Sequence, residues 1–200
     1  NSSFFSLSFP TISATGKNGS IIHYNPENFK PIKLKKGDLY LCDSGAQYYG
    51  GTTDITRTFY LGDGKPQKDY VDVYTNVLKG HINLATIKFP KDTLGVQLDT
   101  LARQYLWNEG LDYSHGTGHG VGNFLGVHEG PQSISKRSCS EILKEGMVLS
   151  NEPGYYKKLK FGIRLENLIF VKKSSHKGFL EFENLTIVPF EKRLINKKLL

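Results

Sequence analysis

Two segments far apart in this 200-residue chain carry the same punctuation, and that repetition constrains the fold more than any other feature of the sequence. Lys36-Gly37 is followed, six residues after the glycine, by Asp43, then Ser44-Gly45, a tyrosine-containing turn, and Asp54 eleven residues beyond Asp43. Glu145-Gly146 is followed, again six residues after its glycine, by Glu152, then Pro153-Gly154, a tyrosine-containing turn, and Glu166 fourteen residues beyond Glu152. Each segment reads as a β-hairpin that presents two carboxylates at matching places. The pattern points to an architecture built by duplication.

The rest of the chain fits around these hairpins. Ser20 to Tyr24 reads as a strand after a turn at Gly16 to Gly19. Leu39 to Ala46 and Thr52 to Phe59 read as strands joined through Tyr49-Gly50-Gly51. Gly62 to Pro66 is a break, after which Val71, Tyr74, Leu78, Ile82 and Ala85 recur at helical spacing. A second helix carries Leu94, Leu98, Leu101, Ala102 and Tyr105 and stops at Gly110. Strands follow over Met147 to Glu152, Ile163 to Val171 and Leu180 to Val188. The order is that of an α+β domain, not of alternating βαβ units.

Composition excludes several functions. The chain suits one domain with a sizeable core, and 38% apolar residues with 12% aromatics argue against disorder. No run approaches the length of a membrane span. The net charge of +7 comes mostly from scattered lysines, with no basic helix face and no aromatic–glycine RNA-binding signature. A solvated surface is therefore expected, with neither nucleic acid nor membrane as partner. Cys42 and Cys139 form no CxxC pair, which suits a reducing, cytoplasmic compartment. Cys42 points to the strand face opposite Asp43 and reads as core. Asn-x-Ser/Thr triplets occur at Asn1, Asn18 and Asn184, of which Asn18-Gly19 reads more simply as a turn.

Carboxylates in strands bounded by Leu, Ile and Val are costly to bury unpaired. Taken singly, each reads as a polar residue on an exposed face. Four at duplicated positions, two of them beside turn glycines, call instead for something cationic. Between the hairpins lies His115-Gly116-Thr117-Gly118-His119-Gly120-Val121-Gly122, with His128-Glu129-Gly130-Pro131 after it. A lone histidine is more often structural than a ligand, but a cluster reverses that preference. The glycines lack the GxGxxG spacing, and HExxH is absent, so neither a dinucleotide site nor that zinc-protease motif is indicated. Four carboxylates and one imidazole make a hard, oxygen-rich donor set. It suits two divalent ions with bridging carboxylates, and manganese better than zinc, because thiolate is lacking. Between such ions a water loses its proton near neutrality.

Six motifs, in order over nearly the whole chain, resemble the X-prolyl aminopeptidases (aminopeptidase P) of the pita-bread metallopeptidases. They are Thr11 to Gly16 with Ile21 to Tyr24, Asp43 to Tyr48 with Gly51 to Thr58, His115 to Gly122, Val127 to Pro131, Asn151 to Tyr156, and Gly162 to Asn167. The resemblance implies that Asp43, Asp54, His119, Glu152 and Glu166 hold two divalent metal ions, most suitably Mn(2+), with Asp54 and Glu166 bridging. It implies that Glu152 also shuttles protons, that His23 and His128 line the substrate site, and that His115, Arg164 and Tyr156 support it. The implied reaction is attack of a metal-bridging hydroxide on the carbonyl before a proline in second position. X-Pro dipeptidase (prolidase) and methionine aminopeptidase share the ligand set. A binding module that kept the fold would be expected to lose ligands, and none is replaced here. The implied protein is a homodimer with further domains ahead of this one. Residues 1–200 are accordingly expected to be a catalytic domain lacking its N-terminal part. Helical sequence from Gln67 to Gly110 precedes Glu152, whereas only forty-two residues, read as loops and strands, precede Asp43. One face of the first sheet is expected to be bare, and the chain alone poorly soluble or inactive.

Overall fold

The computed structural model describes residues 2–137 and 140–200, so Cys139 lies outside the described residues. In chain order the elements are β1 (Phe4–Leu7), β2 (Ile12–Thr15), a 3-10 turn (Gly16–Ser20), β3 (Leu39–Ser44), β4 (Ala46–Tyr48), β5 (Gly51–Thr52) and β6 (Ile55–Tyr60). Helix α1 (Lys68–Ala85), β7 (Lys88–Pro90) and helix α2 (Gly95–Trp107) follow. The remainder comprises β8 (Gly118–His119), β9 (Ser133–Ile134), β10 (Val148–Asn151), β11 (Gly154–Lys157), β12 (Phe161–Arg164), β13 (Asn167–Lys173), β14 (Phe179–Asn184) and a 3-10 turn at Lys192–Leu194.

The two halves repeat one plan. β2–β3–β6 and β10–β13–β14–β7 are antiparallel sheets, and a short second hairpin, β4–β5 or β11–β12, stands beside each. Gly37 and Gly146, which open the repeats, hold φ of +91° and +87°, a left-handed conformation that glycine adopts without steric cost. Asp43 is the penultimate residue of β3, and Glu152 directly follows β10. Asp54 directly precedes β6, and Glu166 directly precedes β13. This is the duplicated pita-bread arrangement.

Helix α1 turns Val73, Tyr74, Val77, Leu78, Leu84 and Ala85 inward. Its first half packs with Leu39, Tyr60, Phe161, Ile163 and Leu165. Its end joins Leu98 and Ala102 of α2 over Leu149, Ile169, Val171 and Leu180 of the second sheet. Each of the Val, Leu, Ile and Phe side chains among them stabilises the fold by about 1.5–3 kcal/mol through burial. The helices cross closely at Gly80, where an added Cβ would stand 2.0 Å from the carbonyl oxygen of Ala102. In the first sheet Ile12, Ala14, Leu39, Leu41 and Tyr60 are buried on one face. On the other, Tyr40 and Phe59 stack at 6.5 Å and stay half-buried.

Three sequence expectations are corrected. Ser20 to Tyr24 is no strand: the 3-10 turn runs into further turns, and Gly19 lies against the backbone of Gly162. The strand expected over Ile163 to Val171 breaks at Leu165-Glu166. There the amides leave the ladder, Leu165 donating to Pro153 O (3.2 Å) and Glu166 to Thr56 O (3.1 Å). The last strand ends at Asn184, before exposed Leu185 and Ile187.

Candidate metal centre

One cavity of about 790 Å³ receives every carboxylate of the two hairpins, together with His23, His115, His119, His128 and Arg164. Its tightest grouping is Asp54, His119 and Glu166, each offering a donor atom within 4.8 Å of the others. Glu152 Oε1 lies 3.2 Å from His119 Nε2, and Asp54 Oδ2 lies 3.4 Å from the same nitrogen. Asp43 is held by an arginine. Its Oδ2 accepts from Arg164 Nη2 at 2.6 Å, while its Oδ1 is buried without a hydrogen-bond partner.

Local sequence explains how His119 is aimed. Cβ atoms on its neighbours Gly118 and Gly120 would stand 2.0 Å from the carbonyl oxygens of Ser150 and Glu129, so only glycine lets the strand come so near. The His119 amide donates to Ser150 Oγ (3.0 Å), and that hydroxyl donates to Glu152 Oε1 (2.9 Å). His119 Nδ1 lies 2.9 Å from Gly120 O, which fixes the proton there and leaves Nε2 facing the carboxylates. A metal-ligating histidine is commonly oriented this way, by a backbone carbonyl on its other nitrogen.

The electrostatics favour a cation. Burial raises the pKa of Asp43 and Asp54, and it raises Glu166 well above the carboxylate range, with the charges of Asp54, Glu152 and Asp43 pushing the same way. Burial also acts against a charged His119, yet hydrogen bonds to Asp54 and Glu152 lift it to about 11. Burial would raise Glu152 as well, but His119 outweighs it and holds the carboxyl at about 2. The carboxylates thus draw a proton onto His119 Nε2, between oxygens of two of them. Donors of this kind, with an orphaned buried oxygen on Asp43, fit hard divalent ions.

The remaining histidines divide by environment. Arg164 Nη1 donates to the Tyr156 hydroxyl (2.8 Å), so the phenol proton is free to go to His115 Nε2 (2.8 Å). His115 Nδ1 then donates to Gly116 O (2.8 Å). Both ring nitrogens of His115 are engaged within the protein. Burial lowers its pKa, which keeps it neutral, and raises that of Tyr156 to about 12. His23 and His128 are instead exposed on the cavity wall. The His128 ring stands edge-on to His119 with centroids 4.2 Å apart, and burial beside that ring lowers its pKa.

Several supporting residues escaped the sequence reading. Thr56 Oγ1 donates to Glu166 Oε2 (2.7 Å) and accepts from Arg164 Nε (3.1 Å). Arg57, buried and with no carboxylate bonded to it among the described residues, donates to Asn167 Oδ1 (2.7 Å) and to the main chain of Glu166 and Val188. Arg103 is fully buried. It pairs with Asp99 (2.6 Å) and donates to the carbonyls of Tyr113 (2.7 Å) and His115 (2.8 Å). Asp99 in turn accepts from Thr117 Oγ1 at 2.6 Å, so the pair anchors the glycine–histidine loop. The one available signal was the i, i+4 spacing of Asp99 and Arg103 among the apolar residues of α2.

The chain matches the model of metallopeptidase family M24 over residues 2–173. It is 55% identical over 207 residues to the probable Xaa-Pro aminopeptidase P of Fusarium vanettenii, covering 100% of this chain and 33% of that protein. The solved X-prolyl aminopeptidase of Caenorhabditis elegans, reported as a cytosolic enzyme with a di-nuclear active site, is similar with a TM-score of 0.94 and 44% identity. That match covers 100% of this chain and 33% of the other. Prolidase from Pyrococcus furiosus is similar with a TM-score of 0.80 and 28% identity, over 93% of this chain and 51% of the other. The chain therefore spans about a third of the length of the Fusarium protein.

Proposed function

Because the chain belongs to metallopeptidase family M24, we propose that it forms the catalytic centre of a metal-dependent Xaa-Pro aminopeptidase, cleaving an N-terminal residue from a following proline. The observation that carries this reading is the convergence of Asp54, His119 and Glu166 donor atoms within 4.8 Å, with Asp43 and Glu152 in the same cavity. The five would hold two divalent ions, with Asp54 and Glu166 at the junction of the donor set, and manganese is the metal we assign. Bound there, the ions would polarise the scissile carbonyl and supply a nucleophile from water near neutrality. Their removal should abolish activity.

The chain's own residues do the rest. Arg164 holds Asp43 by one oxygen and leaves the other for a metal. Glu152, steadied by Ser150, accepts the proton of the attacking water and delivers it to the prolyl nitrogen. His128, exposed on the cavity wall, donates to the carbonyl oxygen as charge develops there, and His23 closes the same space from the first half of the chain. His115 and Tyr156 position the wall without touching substrate. The likeness to the nematode enzyme supports a cytoplasmic location, and no helix among the described residues is long and apolar enough to cross a membrane.

The structural likeness to a prolidase favours X-Pro dipeptidase as the second reading. The test compares a tripeptide and a dipeptide, each with proline second, after chelation and after manganese is restored. Manganese-dependent release of the first residue from the tripeptide is expected. Turnover of the dipeptide alone would select the second reading, and turnover unaffected by chelation would overturn both.

A further inference from the structure

The loop joining His119 to His128 is closed at its base. Val121 donates to Val148 O (3.1 Å) and Glu129 to Gly120 O (2.9 Å). Inside it, Gly122 donates to Gly126 O (3.0 Å), and Gly126 donates to the Glu129 carboxylate (2.9 Å). Its tip is less secure. Leu125 is 60% exposed, and Phe124 holds φ of +57°, a left-handed conformation that costs a bulky L-residue energy. Something outside the loop must keep it there.

The contacts that do so reach the hairpin between Asp43 and Asp54, among them Thr52 Oγ1, 3.5 Å from Leu125 O. Gln47 Nε2 donates to Leu125 O at 2.5 Å, and Gln47 Oε1 accepts from buried Thr52 Oγ1 at 2.6 Å. With both ends of the amide engaged, its orientation is fixed. Outside this bond the rings of Phe5, Tyr49 and Phe124 pack against one another with centroids 5.2, 5.3 and 5.7 Å apart. These three rings come from three separate segments, and no catalytic role needs an aromatic cluster there.

We propose that Gln47 is a positioning residue for His128: it latches the loop tip to the aspartate hairpin, and the Phe5–Tyr49–Phe124 cluster clasps the latch from outside. Asp43 and Asp54 sit at the two ends of the hairpin that carries Gln47. The bond to Leu125 therefore sets His128, three residues on, in register with the carboxylates. A loop freed by about an ångström would leave the imidazole present but misplaced for a developing oxyanion. Substrate binding that relies on other walls of the cavity would change little. The inference rests on the role given to His128 above.

Four variants test it in the intact protein: Gln47→Ala, near-isosteric Gln47→Glu, His128→Ala, and Gln47→Ala combined with His128→Ala; the expectations that follow for single variants are those at Gln47. Each single variant should lower kcat by about tenfold to a hundredfold, with KM and bound metal little changed. In the His128→Ala background, Gln47→Ala should cost nothing further, because the group it positions is gone. Amide hydrogen exchange over residues 122–128 should speed up in Gln47→Ala. Unchanged kcat in both single variants, or full additivity with His128→Ala, would overturn the proposal. If Gln47→Ala fails to fold, Gln47→Glu decides it, since that side chain keeps the volume and loses the donor. A wild-type protein without Xaa-Pro turnover would instead sink the functional reading, and the exchange measurement would still report whether the latch exists.

Discussion

Asp54 Oδ2 faces His119 Nε2, and Asp54 shares a donor cluster with Glu166, so it bears on both halves of the centre at once. Asp54→Asn removes a charge from that junction and should abolish turnover even at saturating manganese, with a measured loss of bound metal. His128 differs in kind. It lies on the cavity wall beside His119, outside the donor cluster. His128→Ala should lower kcat by about two to four orders of magnitude while metal analysis finds the same content. A variant that loses one ion per chain would exchange the roles of His119 and His128. At this scale the sequence was informative where residue type decides chemistry. Carboxylates at repeated offsets and imidazoles among glycines can be read without coordinates. Thr56, Ser150 and Gln47 could not be, because a hydroxyl or amide becomes a support only through the partner that folding places beside it.

Elements were legible where a single face repeats and illegible where long-range contacts override the local pattern. Helix α1 was legible from spacing, although of the residues that gave it Tyr74, Leu78 and Ala85 face inward, Val71 is half-buried and Ile82 is exposed. Ile21-Ile22-His23-Tyr24 looks like a strand, yet Tyr24 is buried with Ile12, Ala14 and Leu41, and the backbone turns to put it there. The break at Leu165-Glu166 was likewise invisible, since its hydrogen-bond acceptors, Pro153 and Thr56, lie elsewhere in the chain. The helix pair allows a test in which propensity and packing disagree in sign. Alanine favours a helix interior over glycine by about 1 kcal/mol. At Gly80, however, a Cβ would sit 2.0 Å from the Ala102 carbonyl oxygen of α2. Gly80→Ala should therefore destabilise the protein, by about 1–3 kcal/mol of overpacking strain, read as a lower urea midpoint. A stabilised variant would mean that α1 and α2 move apart at no cost.

Between pH 6.5 and 4, acid sensitivity should have a traceable source outside the metal centre. His81 is buried on α1 with neither ring nitrogen hydrogen-bonded. Burial, with the charge of Arg57 acting the same way, lowers its pKa from 6.5 to about 3. Folded His81 stays neutral where the unfolded chain takes up a proton. Its contribution is therefore intact above about pH 6.5 and falls as pH drops toward 3, by at most about 1.4 kcal/mol per pH unit. His81→Leu should flatten stability between pH 6.5 and 4 relative to wild type. Parallel pH profiles for the two proteins would show that other groups set the slope.

The division of the acids between the two halves has a historical consequence. The first half supplies two aspartates and the second two glutamates, from structurally equivalent places opened by the same left-handed glycine. Neither half alone brings four acids to one point. Two copies of a single ancestral hairpin unit, meeting about a twofold axis, would have done so, and a symmetric pair is the commonest way for chains to assemble. Fusion of such copies into one gene would then have freed each half to change separately. The shorter acid stands on one side and the longer on the other, and His115, His119 and His128 lie in the segment between them. A centre of symmetric origin would thereby have acquired two unlike ends.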